Sequence, residues 1–179
     1  PDYESTTCLL IASYEEAIAI LVQIFQDDRE ENVANRKLAA HILADLCTEQ
    51  RSHAQMVELL SEPVAASTAS SAGATDGAES MSLYTLAKVL IPLIASLDHE
   101  LNLLAIQIAH NLANVETAAA ALIKADVVST LAVAARSEHE WTLGAAISII
   151  TKLCHHQKKY DAIFRADIIE ILLDLICNK

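Results

Sequence analysis

Two stretches decide how this chain is read: Leu104-Ala105-Ile106-Gln107-Ile108-Ala109-His110-Asn111-Leu112-Ala113 and Ala145-Ala146-Ile147-Ser148-Ile149-Ile150-Thr151-Lys152-Leu153-Cys154. They lie over one another without a gap at an offset of 41, the distance from 104 to 145. The same offset carries Ile123-Lys124-Ala125-Asp126 onto Phe164-Arg165-Ala166-Asp167, and Leu90 onto Leu131 onto Leu172. A third copy stands earlier, at Leu38-Ala39-Ala40-His41-Ile42-Leu43-Ala44-Asp45-Leu46-Cys47. In each copy the last Leu is followed at the same interval by an apolar residue: Leu46 by Met56, Leu112 by Leu122, Leu153 by Ile163.

A fixed period near 40 built from helix-patterned segments is the signature of an α-solenoid, in which units that cannot bury their own apolar faces bury them against neighbours. Within a unit the apolar residues recur at helical spacing, as in Leu101, Leu104, Ile108 and Leu112. The pattern predicts helices over 14–26, 31–48, 50–60, 82–97, 99–114, 116–125, 127–136, 138–154, 156–166 and 168–177. Asp126 and Asp167 each precede an apolar run and read as N-caps, whose side chains accept from the first free amides of the next helix. Pro92 falls where a helix interior is expected, so the helix either kinks or restarts there.

Composition agrees. Apolar residues make up 53% of the 179, aromatics only 4%, and there are three Gly and three Pro. So few chain breakers disfavour an all-β fold. The net charge of −12 opposes general binding to phosphate backbones, so nucleic acid is not an expected partner. No apolar run reaches the roughly 18–20 residues of a membrane span. Cys8, Cys47, Cys154 and Cys177 form no CxxC pair or compact disulfide framework, which suits a reducing intracellular compartment. Residues 61–81 are rich in Ser, Ala, Thr and Gly, with little to bury against the entropy of ordering them. They read as a flexible insertion between repeats, so residues 1–179 are expected to form a single repeat domain.

These residues resemble the armadillo repeat, a three-helix unit whose third and longest helix ends in a phrase like Asn-Leu-Ala. Asn111-Leu112-Ala113 matches the phrase outright, and Leu46-Cys47 and Leu153-Cys154 match it in part. The related HEAT repeat has a two-helix unit and would give much the same period. The resemblance implies an all-α, right-handed α-solenoid of about three armadillo-like repeats. Pro1 in first place and apolar faces expected at both ends point to an excerpt of a longer array, with further repeats of the same chain as neighbours. In armadillo proteins the third helices line a concave groove that binds extended peptides through a ladder of Asn and sometimes Trp. Carried over, the Asn position falls on Asp45, Asn111 and Lys152, and the position one turn earlier on His41, Gln107 and Ser148. Only Asn111 is the family's residue, and Asp126 and Asp167 stand where the family has Gly.

Other candidate chemistry is sparse. Cys154-His155-His156 supplies too few ligands for zinc, and Cys154 aligns with Ala113 at a place that wants a small apolar group. Glu138-His139-Glu140 sits at an expected helix start, where carboxylates suit the dipole. No HExxH, GxSxG, P-loop or GxGxxG pattern occurs, so neither an enzyme nor a cofactor is expected. Trp141, the only Trp, either anchors neighbouring repeats or stands in the groove as a binding residue. Gly144, one turn later, reads as a place where a neighbouring helix packs close. The expectation is therefore an intracellular scaffold, cytoplasmic or nuclear, that takes a partner peptide or helix on His41, Asp45, Gln107, Asn111, Trp141, Ser148 and Lys152. Cell-polarity, cytoskeletal and trafficking adaptors all fit it. The alternative is a structural or self-associating segment of a larger protein.

Overall fold

The computed structural model describes residues 7–8, 10–11, 15–27, 29, 32–61, 82–136, 139–156 and 173. Among them are eight α-helices and no strand: α1 (Glu15–Gln26), α2 (Val33–Thr48), α3 (Gln50–Ser61), α4 (Leu83–Ile94), α5 (His99–Leu112), α6 (Glu116–Lys124), α7 (Val127–Ala134) and α8 (Glu140–His156). Every one falls where the periodicity puts it, within three residues at each end. The expected helices at 156–166 and 168–177, the cap at Asp167 and the insertion at 61–81 lie outside the described residues, apart from Ser61, His156 and Leu173.

The helix starts have identifiable causes. Ser82 caps α4 by accepting from the Thr85 amide at 3.2 Å. Asp98 caps α5 with Oδ1, which accepts from the amides of Glu100 at 3.0 Å and Leu101 at 3.2 Å. At α3 the Glu49 carboxylate accepts from the Ser52 amide at 2.6 Å, and the buried Ser52 hydroxyl lies 3.0 Å from the Leu46 carbonyl, to which it donates. Each cap satisfies amides that have no partner within the helix.

Asp126 departs from its expected role. Its backbone is left-handed, with φ 64° and ψ 33°, and its side chain accepts no bond from the amides of α7. Its Oδ1 instead accepts from the Ser129 hydroxyl at 2.9 Å. Asp and Asn tolerate this conformation better than other non-glycine residues, because their short side chains bond locally. Asp126 therefore makes the sharp α6–α7 corner that a Gly would otherwise make. Pro92 neither restarts nor ends its helix: α4 continues to Ile94. Pro92 is exposed and close to the helix end, so the carbonyl it leaves without a donor is near water.

Packing recurs every third helix. α2 lies against α5 and α5 against α8; α4 lies between α1 and α7; α3 meets α6. Helices so flanked are apolar on more than one face. In α5 the buried set is Leu101, Leu104, Ala105, Ile106, Ile108, Ala109 and Leu112. By contrast α8 buries one stripe, Thr142, Ala146, Ile149, Ile150 and Leu153, at helical spacing. Among the described helices it packs on α5, α6 and α7. The buried side chains form one continuous cluster from Ile18 to Leu153. Cys47 and Ala113 are buried, and burial pushes the Cys47 thiol up to about 12. Cys154, expected to match them, is only half-buried.

The left-handed corner gives a direct test. Asp126→Gly should keep stability within about 0.5 kcal/mol, whereas Asp126→Val should cost about 1–2 kcal/mol, since a β-branched residue is strained at positive φ. Urea unfolding of the two variants measures the difference.

Candidate functional site

The residues singled out from the sequence lie on α2, α5 and α8, and most meet across the two junctions between these helices. At the α2–α5 junction the centre is Thr48. Its hydroxyl donates back to the Ala44 carbonyl at 2.8 Å, which leaves the oxygen's lone pairs to accept. Asn111 Nδ2 donates to that oxygen at 3.1 Å, and Gln107 Nε2 reaches it at 3.5 Å. Nearer the start of α5, Lys37 contacts Glu100 at 2.7 Å and Asp98 at 3.0 Å, and His41 Nε2 lies 3.2 Å from Glu100. The Lys37 ammonium, and after it His41, holds the Glu100 carboxyl below its usual range; Lys37 does the same for Asp98. These pairs are partly exposed, so water screens them, and they fix how α2 lies on α5 more than they stabilise it. Asp45 is exposed on α2, with no cation within salt-bridge distance among the described residues.

At the α5–α8 junction the centre is His110. Lys152 Nζ lies 2.8 Å from its Nε2 and 3.3 Å from its carbonyl oxygen, and Ser148 Oγ lies 3.2 Å from the same Nε2. Nζ also lies 3.4 Å from Nδ1, so the ammonium sits against the ring as a whole, and a cation there favours the neutral imidazole. Burial, then the neighbouring Lys152 charge, pushes His110 below the usual 6.5. Burial also lowers Lys152. Lys152 has no carboxylate partner among the described residues.

Above this junction a cleft of about 330 Å³ opens, lined by Gln107, His110, Glu140, Trp141, Gly144 and Ala145. Trp141 is 53% exposed, so it is not an anchor buried between helices. Gly144 does not mark a close helix contact either: a Cβ added there would meet nothing within 4 Å. A helix-interior Gly costs about 0.5–1 kcal/mol relative to Ala, and no packing constraint here explains it. Among the described residues no three His, Cys, Asp or Glu side chains converge as metal ligands would.

The structure thus brings Gln107 and Asn111 together on Thr48, and Ser148 and Lys152 together on His110. Trp141 joins Gln107 and His110 at the cleft. His41 and Asp45 stay on α2, away from that cleft. Thr48, His110 and Lys37 were missed by sequence reasoning. Each stands next to a residue of the repeated stretches, but the partner across the junction is set only by how the helices are rotated.

A scan against protein-family models gives no match, and no curated protein matches the chain. The likeness to armadillo repeats therefore rests on the residues themselves.

The depressed His110 predicts a pH dependence. The fold favours neutral imidazole, so the unfolded chain binds more protons and stability falls as pH drops below 6.5. His53, buried and likewise lowered by burial, acts in the same direction. The lowered carboxylates Glu49, Asp98 and Glu100 contribute only below their ordinary values of 3.8–4.5. The urea midpoint should therefore fall between pH about 7.5 and about 5.5, and His110→Gln should reduce that fall; a midpoint that rises on acidification would contradict the assignment.

Proposed function

We propose that this chain is a protein-interaction scaffold of the armadillo-like α-solenoid type, in which α2, α5 and α8 are successive third helices and their shared face receives a partner peptide. The observation that carries the reading is the row of polar side chains on these three helices. His41, Asp45, Gln107, Asn111, Ser148 and Lys152 come from equivalent places in the three copies, on helices that pack α2 to α5 to α8. The recurrence of packing at every third helix supports a three-helix unit over a two-helix one.

A peptide bound on this face would meet different chemistry along its length. Asp45 offers an acceptor at one end and Lys152 a cation at the other, so the row can orient a guest. The Asn111 amide is already engaged on Thr48, so its binding contribution comes from a side chain held in place, with less entropy to lose on contact.

A second reading, self-association or abutment of further repeats, is favoured by one feature. The α1–α2 face carries a mainly apolar cleft of about 230 Å³ lined by Leu21, Ile24, Leu38, Ala39 and Ile42 among others, and Leu38 is 60% exposed. Sedimentation velocity separates the two: a concentration-dependent dimer weakened by Leu38→Glu favours the second.

The groove reading is tested with peptides selected on the chain from a random-sequence display library. Asn111→Ala with Lys152→Ala should weaken their binding at least about tenfold, while removal of each partly exposed hydrogen bond costs only about 0.5–1.5 kcal/mol of stability. Unfolding of the double variant would mean that these side chains hold the core. Normal folding with undiminished binding would move the function to another surface.

A further inference from the structure

Three features of the α5–α8 cleft stand together and are not used up by its packing. Gly144 leaves room that no neighbouring atom requires. Trp141, one turn earlier on α8, presents about half of its surface to solvent. Glu140, beside it, is an exposed carboxylate with no cationic partner among the described residues. From these we propose that the cleft is a slot for one arginine side chain of a bound peptide: its guanidinium stacks on the Trp141 ring and pairs with the Glu140 carboxylate, and its stem lies over Gly144 and Ala145. This rests on the groove reading above and names the side chain that the groove selects.

The chemistry of the lining favours arginine over other guests. Trp offers the best aromatic face for a cation, and the planar guanidinium both stacks and pairs with a carboxylate. The three-carbon stem of arginine matches the apolar floor. An aliphatic guest would use the floor and leave the carboxylate idle. An acidic guest would face Glu140 directly.

Two opposing charges are too weak to reverse the preference. The positive end of the α8 dipole amounts to about half a charge, and Glu140 in the first turn sets a full negative charge against it. Lys152 Nζ contacts the His110 wall of the cleft at 2.8 Å but does not reach Glu140, so that carboxylate is left for the guanidinium. His110, on the cleft wall, is kept neutral by its burial and by Lys152. The net charge of −12 attracts a basic peptide at long range.

Trp141 is the only Trp in the chain, so its fluorescence reports on the slot directly. Titration with the blocked tripeptide Ala-Arg-Ala should give a saturable change, and the tripeptide with neutral citrulline in place of arginine should bind at least about fivefold more weakly. Glu140→Gln should weaken the arginine peptide about threefold or more. Gly144→Leu is the sharper variant: it should raise the melting temperature, since it puts a good helix former into open space, and weaken binding at least about tenfold by filling the slot. Equal affinity for the citrulline peptide, no saturation, or full binding by Gly144→Leu overturns the proposal. Display-selected peptides keep its failure distinct from that of the groove. Peptides that lack arginine and are weakened by Asn111→Ala and Lys152→Ala, but not by Gly144→Leu or Glu140→Gln, overturn the slot and leave the groove standing. Peptides indifferent to all four substitutions overturn both.

Discussion

The burial of α5 between α2 and α8 is the constraint on which the rest depends. A helix that carries Leu101, Leu104, Ala105, Ile106, Ile108, Ala109 and Leu112 cannot satisfy them against a single neighbour. Each large side chain taken fully from water contributes about 1.5–3 kcal/mol, so exposing one face of α5 would cost more than most small domains can lose. Two flanking helices follow from this requirement. With α2 on one side and α8 on the other, the remaining helices fill the spaces behind, α4 against α1 and α7, α3 against α6.

That packing also determines where polar chemistry can stand. Where three helices lie in succession, the side chains just above their apolar contacts meet across each junction. Thr48 accepts from α5, and Lys152 and Ser148 of α8 meet the ring of His110. Such contacts contribute modestly to stability but fix rotation and register between neighbours. The cleft over Gly144 exists because α8 carries no side chain where the line of these contacts reaches Trp141. Stability and site thus belong to different residues of one helix: Ala146, Ile149, Ile150 and Leu153 bury, while Glu140, Trp141 and Gly144 open outward.

The helices were legible because the apolar period and the 41-residue offset are strong, redundant signals. Leu112, Ala113 and Leu46 are buried as their alignment required. The finer assignments depended on information that spacing does not carry. Asp126 before an apolar run reads equally as a cap or as a left-handed corner, and only the backbone angle separates the two. Gly144 in a helix reads as close packing or as open space, and the deciding atoms lie on other helices. Cys154 shares an alignment column with Cys47 and Ala113 but differs in burial, because burial depends on the neighbours a helix receives. His110 and Thr48 gained their roles from helix rotation, which a periodicity fixes only to within a face.

α5 lies between α2 and α8 in one particular rotation, with Asn111 turned to Thr48 and His110 turned to Ser148 and Lys152. Side-chain nuclear Overhauser contacts in solution measure this directly. Contacts are expected from the Asn111 amide protons to the Thr48 side chain, and from the His110 ring protons to the side chains of Ser148 and Lys152. Contacts from Asn111 or His110 to α4 or α6 in place of these would contradict it, because the polar row and the cleft would then not share a face.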